Sequence, residues 1–483
     1  MVRKIVKVMV CALFCSLPAG VAWADGAVYA MTNALGNNQV LVFHRGADGN
    51  LTSTPVQTIS TGGGGSGLQL AGVDALGSSG SMQLDEAHHI LFVVNTESAA
   101  ENNGAGAYNT DCAQGTITSF IVGADGTLTF ADRVFSRGLF PNSLAAKTIM
   151  VPAQPDEDDK GKGKHKGDKD DTPQPLEVLY VLNAGGPEAP AICNNQPATA
   201  NTPNITGFVV DDQGRMRPIP NSTQSIDPGP ASAMTGVSCL AATAAGFQGL
   251  TGAPAADFSC GLNPPSFARS PAQVGFTPDG SHLVVTVKGT NAIYVFQVDQ
   301  NGLAANPEIT QAPGPALPGF FGFAFDRNAN LLLSELFGSA TSIPKGGAGA
   351  LSSFSIGVDG NLSAISSHVG DNGTAACWIA LDPITGRFAY VTNNLSASIS
   401  SYSVSGSGTV TLLNGAANGG TVTAGPNDIA IAQDGTSSFL YVVNAGTGTV
   451  GAFQINLVDG SLTALTGGMG LPAGRSAQGL AAY

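Results

Sequence analysis

The sequence predicts an all-β protein: a seven-bladed β-propeller of four-stranded antiparallel blades, closed by the C-terminal strand pairing into the first blade. Three observations carry this reading. First, an aromatic residue on an alternating strand is followed six or seven positions later by a turn glycine, and the phrase occurs seven times: Phe43 with Gly49, Phe120 with Gly126, Phe208 with Gly214, Phe296 with Gly302, Phe354 with Gly360, Tyr402 with Gly408, and Phe453 with Gly460. A chain that repeats itself in this way builds one supersecondary unit again and again. Second, a β-prone run that often ends in asparagine recurs at residues 28–33, 91–95, 179–183, 389–393 and 441–444. Third, 64 glycines with only 11% charged and 43% hydrophobic residues suit many short strands and tight turns rather than helices.

From the N-terminus, residues 1–24 read as a secretory signal. Arg3, Lys4 and Lys7 precede an apolar stretch at 8–17, and Ala22-Trp23-Ala24 forms a small-x-small cleavage site before Asp25. The stretch is too short for a stable membrane anchor, and no later segment is apolar enough to cross. A periplasmic or secreted protein is expected, with residues 25–483 forming one propeller domain. Each repeat then runs through an inner strand (273–276, 428–431), a turn (Pro278-Asp279-Gly280, Gln433-Asp434-Gly435), the β-prone second strand, the aromatic third strand (292–298) and a turn such as Asp359-Gly360 into a weaker outer strand. Period-two alternation and Gly/Asp/Asn turns mark these elements. The first repeat begins at a second strand near Val28, while residues 477–482 read as an inner strand with no repeat after it. The C-terminal strand should therefore complete the first blade and remove the open edge. The first four repeats carry insertions. The one at 154–175 alternates acidic residues with Lys160, Lys162, Lys164, Lys166 and Lys169 and should be a solvated loop. The one at 222–268 is apolar and cysteine-bearing and should pack as a cap.

A formal net charge of -14 argues against a nucleic-acid partner, and a monomer is expected. Five cysteines follow the signal. In an oxidising compartment Cys239 with Cys260 is the first candidate pair and Cys112 with Cys193 the second, leaving Cys377, beside Trp378, as a buried free thiol. No C-x-x-C and no Cys/His cluster with zinc spacing is present, so neither a metal nor a cofactor is expected. His88, His89 and His282 stand just before second strands and read as turn-end surface residues. Gly446-Thr447-Gly448-Thr449-Val450-Gly451 fits G-x-G-x-x-G, but it joins two strands, so its glycines serve a hairpin.

A propeller's natural site is the mouth of its central channel, lined by inner-strand starts. These hold Asn142, Gln273, Asn427, Asp428 and Gln478, with Arg269 and Arg475 slightly upstream. Second-strand ends add Lys288 and Glu335. Glu335 takes the place that sister repeats give to asparagine, beside Leu336, Phe337 and Phe321. A carboxylate so surrounded can act as a general acid or base; the plainer alternative is a turn cap or a pair with Arg327.

The chain resembles the lactonase family of seven-bladed propellers, which includes bacterial 6-phosphogluconolactonases and fungal carboxymuconate-lactonising enzymes and borders on the Tyr-Val-Thr-Asn surface repeats. Tyr390-Val391-Thr392-Asn393, Tyr441-Val442-Val443-Asn444, Phe276-Thr277-Pro278-Asp279-Gly280 and the aromatic–glycine pairs carry the resemblance. It implies a channel histidine, an arginine in a Pro-Arg-His inner-strand start and a glutamate ending the next strand. Ser334-Glu335 matches the glutamate. Phe320-Phe321-Gly322 stands where Pro-Arg-His would fall, and Pro271-Ala272-Gln273 where an inner-strand histidine would. The resemblance thus implies an exported lactonase that opens or forms a lactone ring, with Glu335 as acid/base and Lys288, Arg269 or Arg475 as the cation. The alternative is a non-catalytic propeller that binds a protein, glycan or small ligand through its loops. Charges converging on one pocket favour the first; a filled channel favours the second.

Overall fold

The computed structural model describes residues 26–67, 74–96, 115–151, 173–185, 202–226, 270–288, 290–311, 319–338, 347–415, 425–474 and 477–483. Arg269, Arg475, Cys112, Cys193, Cys239 and Cys260 lie outside the described residues, as do the signal, most of the charged tract and most of the cysteine-bearing insertion. No described helix is long and apolar enough to cross a membrane.

Seven antiparallel sheets follow one another along the chain. Blade 1 holds β1 (Gly26–Met31), β2 (Gln39–Arg45) and β3 (Gln57–Ser60). Blade 2 holds β4 (Met82–Asp85), β5 (Ile90–Asn95), β6 (Thr116–Val122) and β7 (Leu128–Phe135). Blade 3 holds β8 (Pro141–Val151), β9 (Gln174–Asn183), β10 (Asn204–Val210), β11 (Met216–Pro218) and β12 (Gln224–Ser225). Blade 4 holds β13 (Pro271–Phe276), β14 (His282–Val287), β15 (Ala292–Val298) and β16 (Ala304–Gln311). Blade 5 holds β17 (Phe320–Phe325), β18 (Leu331–Glu335), β19 (Ala350–Ile356) and β20 (Leu362–Gly370). Blade 6 holds β21 (Ala376–Leu381), β22 (Phe388–Asn393), β23 (Ser398–Val404) and β24 (Val410–Asn414). Blade 7 holds β25 (Pro426–Asp434), β26 (Ser437–Asn444), β27 (Thr449–Ile455) and β28 (Leu462–Met469). β29 (Leu480–Ala482) then pairs antiparallel with β1, Tyr29 opposite Ala481, and supplies the inner strand of blade 1. The ring is closed as the sequence implied. Blade 3 departs from four strands because its outer edge is split: β11 and β12 both pair with β10, and Pro218 and Pro220, which have no N–H to donate, interrupt the ladder between them.

The core lies between blades. Leu331, Leu333 and Phe354 of blade 5 pack on Val284, Ile293 and Val295 of blade 4. On the other side of blade 5, Leu332 and Leu351 pack on Ile379, Val391 and Tyr402 of blade 6. The aromatic–glycine phrase has a role in this stacking. All seven turn glycines adopt positive φ, from 74° at Gly214 to 84° at Gly360, the left-handed region that favours glycine. Each also faces the preceding blade. A Cβ at Gly49 would come within 2.2 Å of the Phe439 ring, and one at Gly460 within 2.6 Å of Phe388. At four junctions a second-strand tyrosine reaches across and donates to the carbonyl of that glycine: Tyr29 to Gly126, Tyr180 to Gly302, Tyr390 to Gly460 and Tyr441 to Gly49, at 2.8–3.0 Å.

Candidate functional site

Strand direction brings the starts of the inner strands and the ends of the second strands to one face. Most inner strands begin with a β-bulge there. Pairing skips Asn142, Ala272, Phe321-Gly322, Cys377-Trp378 and Asn427-Asp428. Bulged residues leave the ladder and re-aim their side chains, and the channel-mouth candidates Asn142, Asn427 and Asp428 sit at these positions.

The mouth is crossed by the chain itself. Residues 74–80, in the connection from β3 to β4, are bonded to blades 1, 3, 4 and 6. Gln478, just before β29, accepts from the Leu76 N–H at 2.9 Å and donates to the Ser78 carbonyl at 2.7 Å. Trp378 of blade 6 donates to the same carbonyl at 3.0 Å. Ser78 Oγ donates to the Asn142 carbonyl of blade 3 at 2.6 Å, and the Ser79 N–H to the Ala272 carbonyl of blade 4 at 3.0 Å. Lys288 reaches in from the end of β14 to the Gly77 carbonyl and to Ser270 Oγ. Asp74, Leu76 and Ser78 are buried.

Sequence reasoning missed this plug, because a short Gly/Ser segment reads only as a loop. The plug is the partner of Gln478, of Lys288 and of the Asn142 carbonyl, and Gln273, Asn427 and Asp428 are tied between blades. Lys288 is buried, its ammonium 5.4 Å from the centre of the Phe321 ring. Burial holds its pKa well below the usual lysine range, opposed by the charge of Asp74; burial raises Asp74, opposed by Lys288. Gln273 exchanges hydrogen bonds with the backbone of Phe323, tying blade 4 to blade 5. Asn142 donates to the Pro271 carbonyl, and Asn427 accepts from Asn394 at 2.6 Å. Asp428 is buried, and its carboxyl is pushed up to about 8, first by burial and then by Asp74, against N–H groups of Ile429, Leu480 and Gly479. Cys377 is a buried free thiol, as expected.

Glu335 has different surroundings. It is fully buried, and its Oε2 lies 2.6 Å from Nδ1 of His368 on β20, whose side chain is 26% exposed. Oε1 has no hydrogen-bond partner. Gly338 makes room for this carboxyl, since a Cβ there would fall 1.5 Å from Oε2. Arg327, the alternative partner, is instead bonded to the carbonyls of Pro383 and Ile384. The strand ladder explains the exchange of asparagine for glutamate. Asn95, Asn393 and Asn444 donate to hydroxyls of the third-strand residues opposite them, Thr116, Ser398 and Thr449. Glu335 faces Ala350, which offers no side-chain partner, and an ionised carboxylate can only accept. It turns to His368, which the β19–β20 register brings within reach. An ionised carboxylate at Nδ1 leaves Nε2 as the basic nitrogen. A buried carboxylate that orients a partly exposed imidazole is an arrangement for general acid–base chemistry. His368 was not singled out in the sequence: it lies in a weakly patterned outer strand, and nothing in its spacing from Glu335 links the two.

The model of the lactonase family of seven-bladed β-propellers matches residues 259–475, a segment that includes both Glu335 and His368. The match covers less than half of the chain, so it shows a likeness of that segment to the lactonase family, carried by a closed seven-bladed ring. Among solved structures, the periplasmic gluconolactonase of Pseudomonas aeruginosa superposes with a TM-score of 0.58 at 16% identity, over 93% of this chain and 97% of that one. A candidate 6-phosphogluconolactonase of Bacteroides fragilis gives 0.58 at 15% identity over 96% and 99%, and a protein of Lactobacillus plantarum 0.56 at 14% over 95% and 99%. At these identities the likeness is one of fold. No curated protein sequence matches the chain.

Proposed function

We propose that this chain is an exported lactone hydrolase in which His368, oriented by Glu335, is the acid–base group. The observation that carries the reading is the 2.6 Å contact between a fully buried carboxylate and a partly exposed imidazole, within the segment that matches the lactonase family. His368 Nε2 takes a proton from water as that water adds to the carbonyl of the ring ester. The tetrahedral adduct then expels the ring oxygen, which takes the proton back from the imidazolium, and an open hydroxy acid leaves. Glu335 stabilises the imidazolium between the two transfers. The substrate is a small lactone, in keeping with the gluconolactonase neighbour, and that neighbour's periplasmic location agrees with export. Purified mature protein is to be assayed on aldonolactones and aromatic lactones. Glu335→Gln and His368→Gln are each expected to lose about 10²–10⁴-fold in kcat; activity unchanged in either variant would remove that residue from the mechanism.

A second reading rests on the plug. Residues 74–80 occupy the place where a channel ligand would sit, which favours a non-catalytic propeller that binds a protein, glycan or small ligand through its loops. Absence of turnover on every lactone in the panel, with the fold intact, selects it.

A further inference from the structure

On the face opposite Glu335, we propose a divalent-cation site that pins blade 2 to blade 3. Asp85 ends β4, His88 lies in the turn that follows, and Glu177 comes from the start of β9 in the next blade. One donor atom from each lies within 4.8 Å of the other two. His88 Nδ1 is 2.6 Å from Asp85 Oδ2 and 3.7 Å from Glu177 Oε2. The carboxylates are 9% and 7% exposed and the imidazole 30%, so the cluster is covered by protein but open to solvent on one side.

An independent observation points to a ligand there. Glu177 Oε2 accepts from Thr148 Oγ1 at 2.7 Å, but its Oε1 is buried with no hydrogen-bond partner. A buried carboxylate oxygen without a partner is costly, and a cation would satisfy it. The charges agree. Two buried carboxylates share one imidazole, and Asp212 adds a further negative charge near His88.

The donor set, one imidazole nitrogen and two carboxylate oxygens, suits zinc, with a water in the fourth position. Bonds of about 2.0–2.1 Å in tetrahedral geometry place donors about 3.3 Å apart. Binding would require the 3.7 Å contact to close slightly and the 2.6 Å contact to open, an adjustment that falls on the partly exposed His88 ring. The sequence offered no such site, because its ligands come from two blades and from no recognisable spacing. His282, by contrast, also read as a surface residue, is buried at the first position of β14 with Nδ1 at 2.8 Å from Ser281 Oγ, and joins no such cluster among the described residues.

The test is a calorimetric titration of chelator-stripped, full-length mature protein with zinc chloride, together with thermal melts with and without zinc. One equivalent is expected to bind and raise the Tm. The stoichiometric event and the Tm shift should both disappear in His88→Ala and in Glu177→Gln, and both should persist in His165→Ala, in the charged tract. His88 is a turn residue, so its loss should leave the metal-free melt close to wild type. Absence of stoichiometric uptake, or equal uptake by wild type and His88→Ala, overturns the proposal and leaves His88 as a plain charge bridge between Asp85 and Glu177.

Discussion

Asp428 shows what a single buried group does to this ring. Its carboxyl accepts backbone N–H groups of Gly479 and Leu480, and burial lifts its pKa to about 8. The unfolded chain ionises this group near 4, so between about pH 4 and pH 8 the folded state holds a proton that the unfolded state has lost. Stability from this group is therefore full below pH 4 and declines as the pH rises to 8. Asp428→Asn should remove that decline. It is expected to stabilise by roughly 1–3 kcal/mol at pH 8 and to change little at pH 4, as denaturant melts at both pH values would read. An equal effect at both would contradict the burial of the proton. At the same scale, the sequence flagged Glu335 because it departs from its sister repeats. His368 and Asp74 were silent. Their partners are set by a strand register and by the path of a connecting segment, which composition and spacing do not encode.

The repeated element was legible as a turn, while its reason became visible only in the ring. The aromatic–glycine phrase marks where the third strand turns into the fourth. The neighbouring blade supplies the constraint, because the turn carbonyl is the acceptor for the tyrosine of Tyr390-Val391-Thr392-Asn393 and its sisters. Two substitutions separate the parts of this junction. Tyr390→Phe removes one buried hydrogen bond to Gly460 and should cost about 1 kcal/mol. Gly460→Ala forces a Cβ against the Phe388 ring at a φ of 77° and should cost more, roughly 2 kcal/mol or above. Equilibrium unfolding of the two variants gives the order; a milder effect at Gly460 than at Tyr390 would refute the inter-blade role. The asparagines ending second strands follow the same logic. They pair with Ser, Thr or Asn on the third strand, and the pairing fails where Glu335 meets Ala350.

The molecule as a whole is a ring joined by a short strand. Besides the β1–β29 ladder, Arg45 donates to the Tyr483 carbonyl at 2.9 Å, Tyr29 and Tyr483 stack with ring centres 6.2 Å apart, and Gln478 holds the plug. Removal of residues 477–483 should therefore open the first blade and release residues 74–80 together, lowering the Tm by about 10 °C or more. A truncated protein that melts within about 2 °C of the full chain would show that closure contributes little. Blade count and closure were readable because they follow from repetition and from an unpaired first and last repeat. The plug was not, since it belongs to no repeat and its hydrogen bonds are made largely by backbone groups. It changes what Lys288 and Gln478 do, from lining a cavity to holding a segment of the chain, and it concentrates the chemical proposal on Glu335 and His368. The most direct measurement of that proposal is chemical rescue. His368→Ala is to be assayed on the best lactone substrate with and without added imidazole, beside Glu335→Gln treated in the same way. The account predicts that imidazole restores a concentration-dependent part of the hydrolysis to His368→Ala and little to Glu335→Gln; hydrolysis by His368→Ala equal to wild type without imidazole would contradict it.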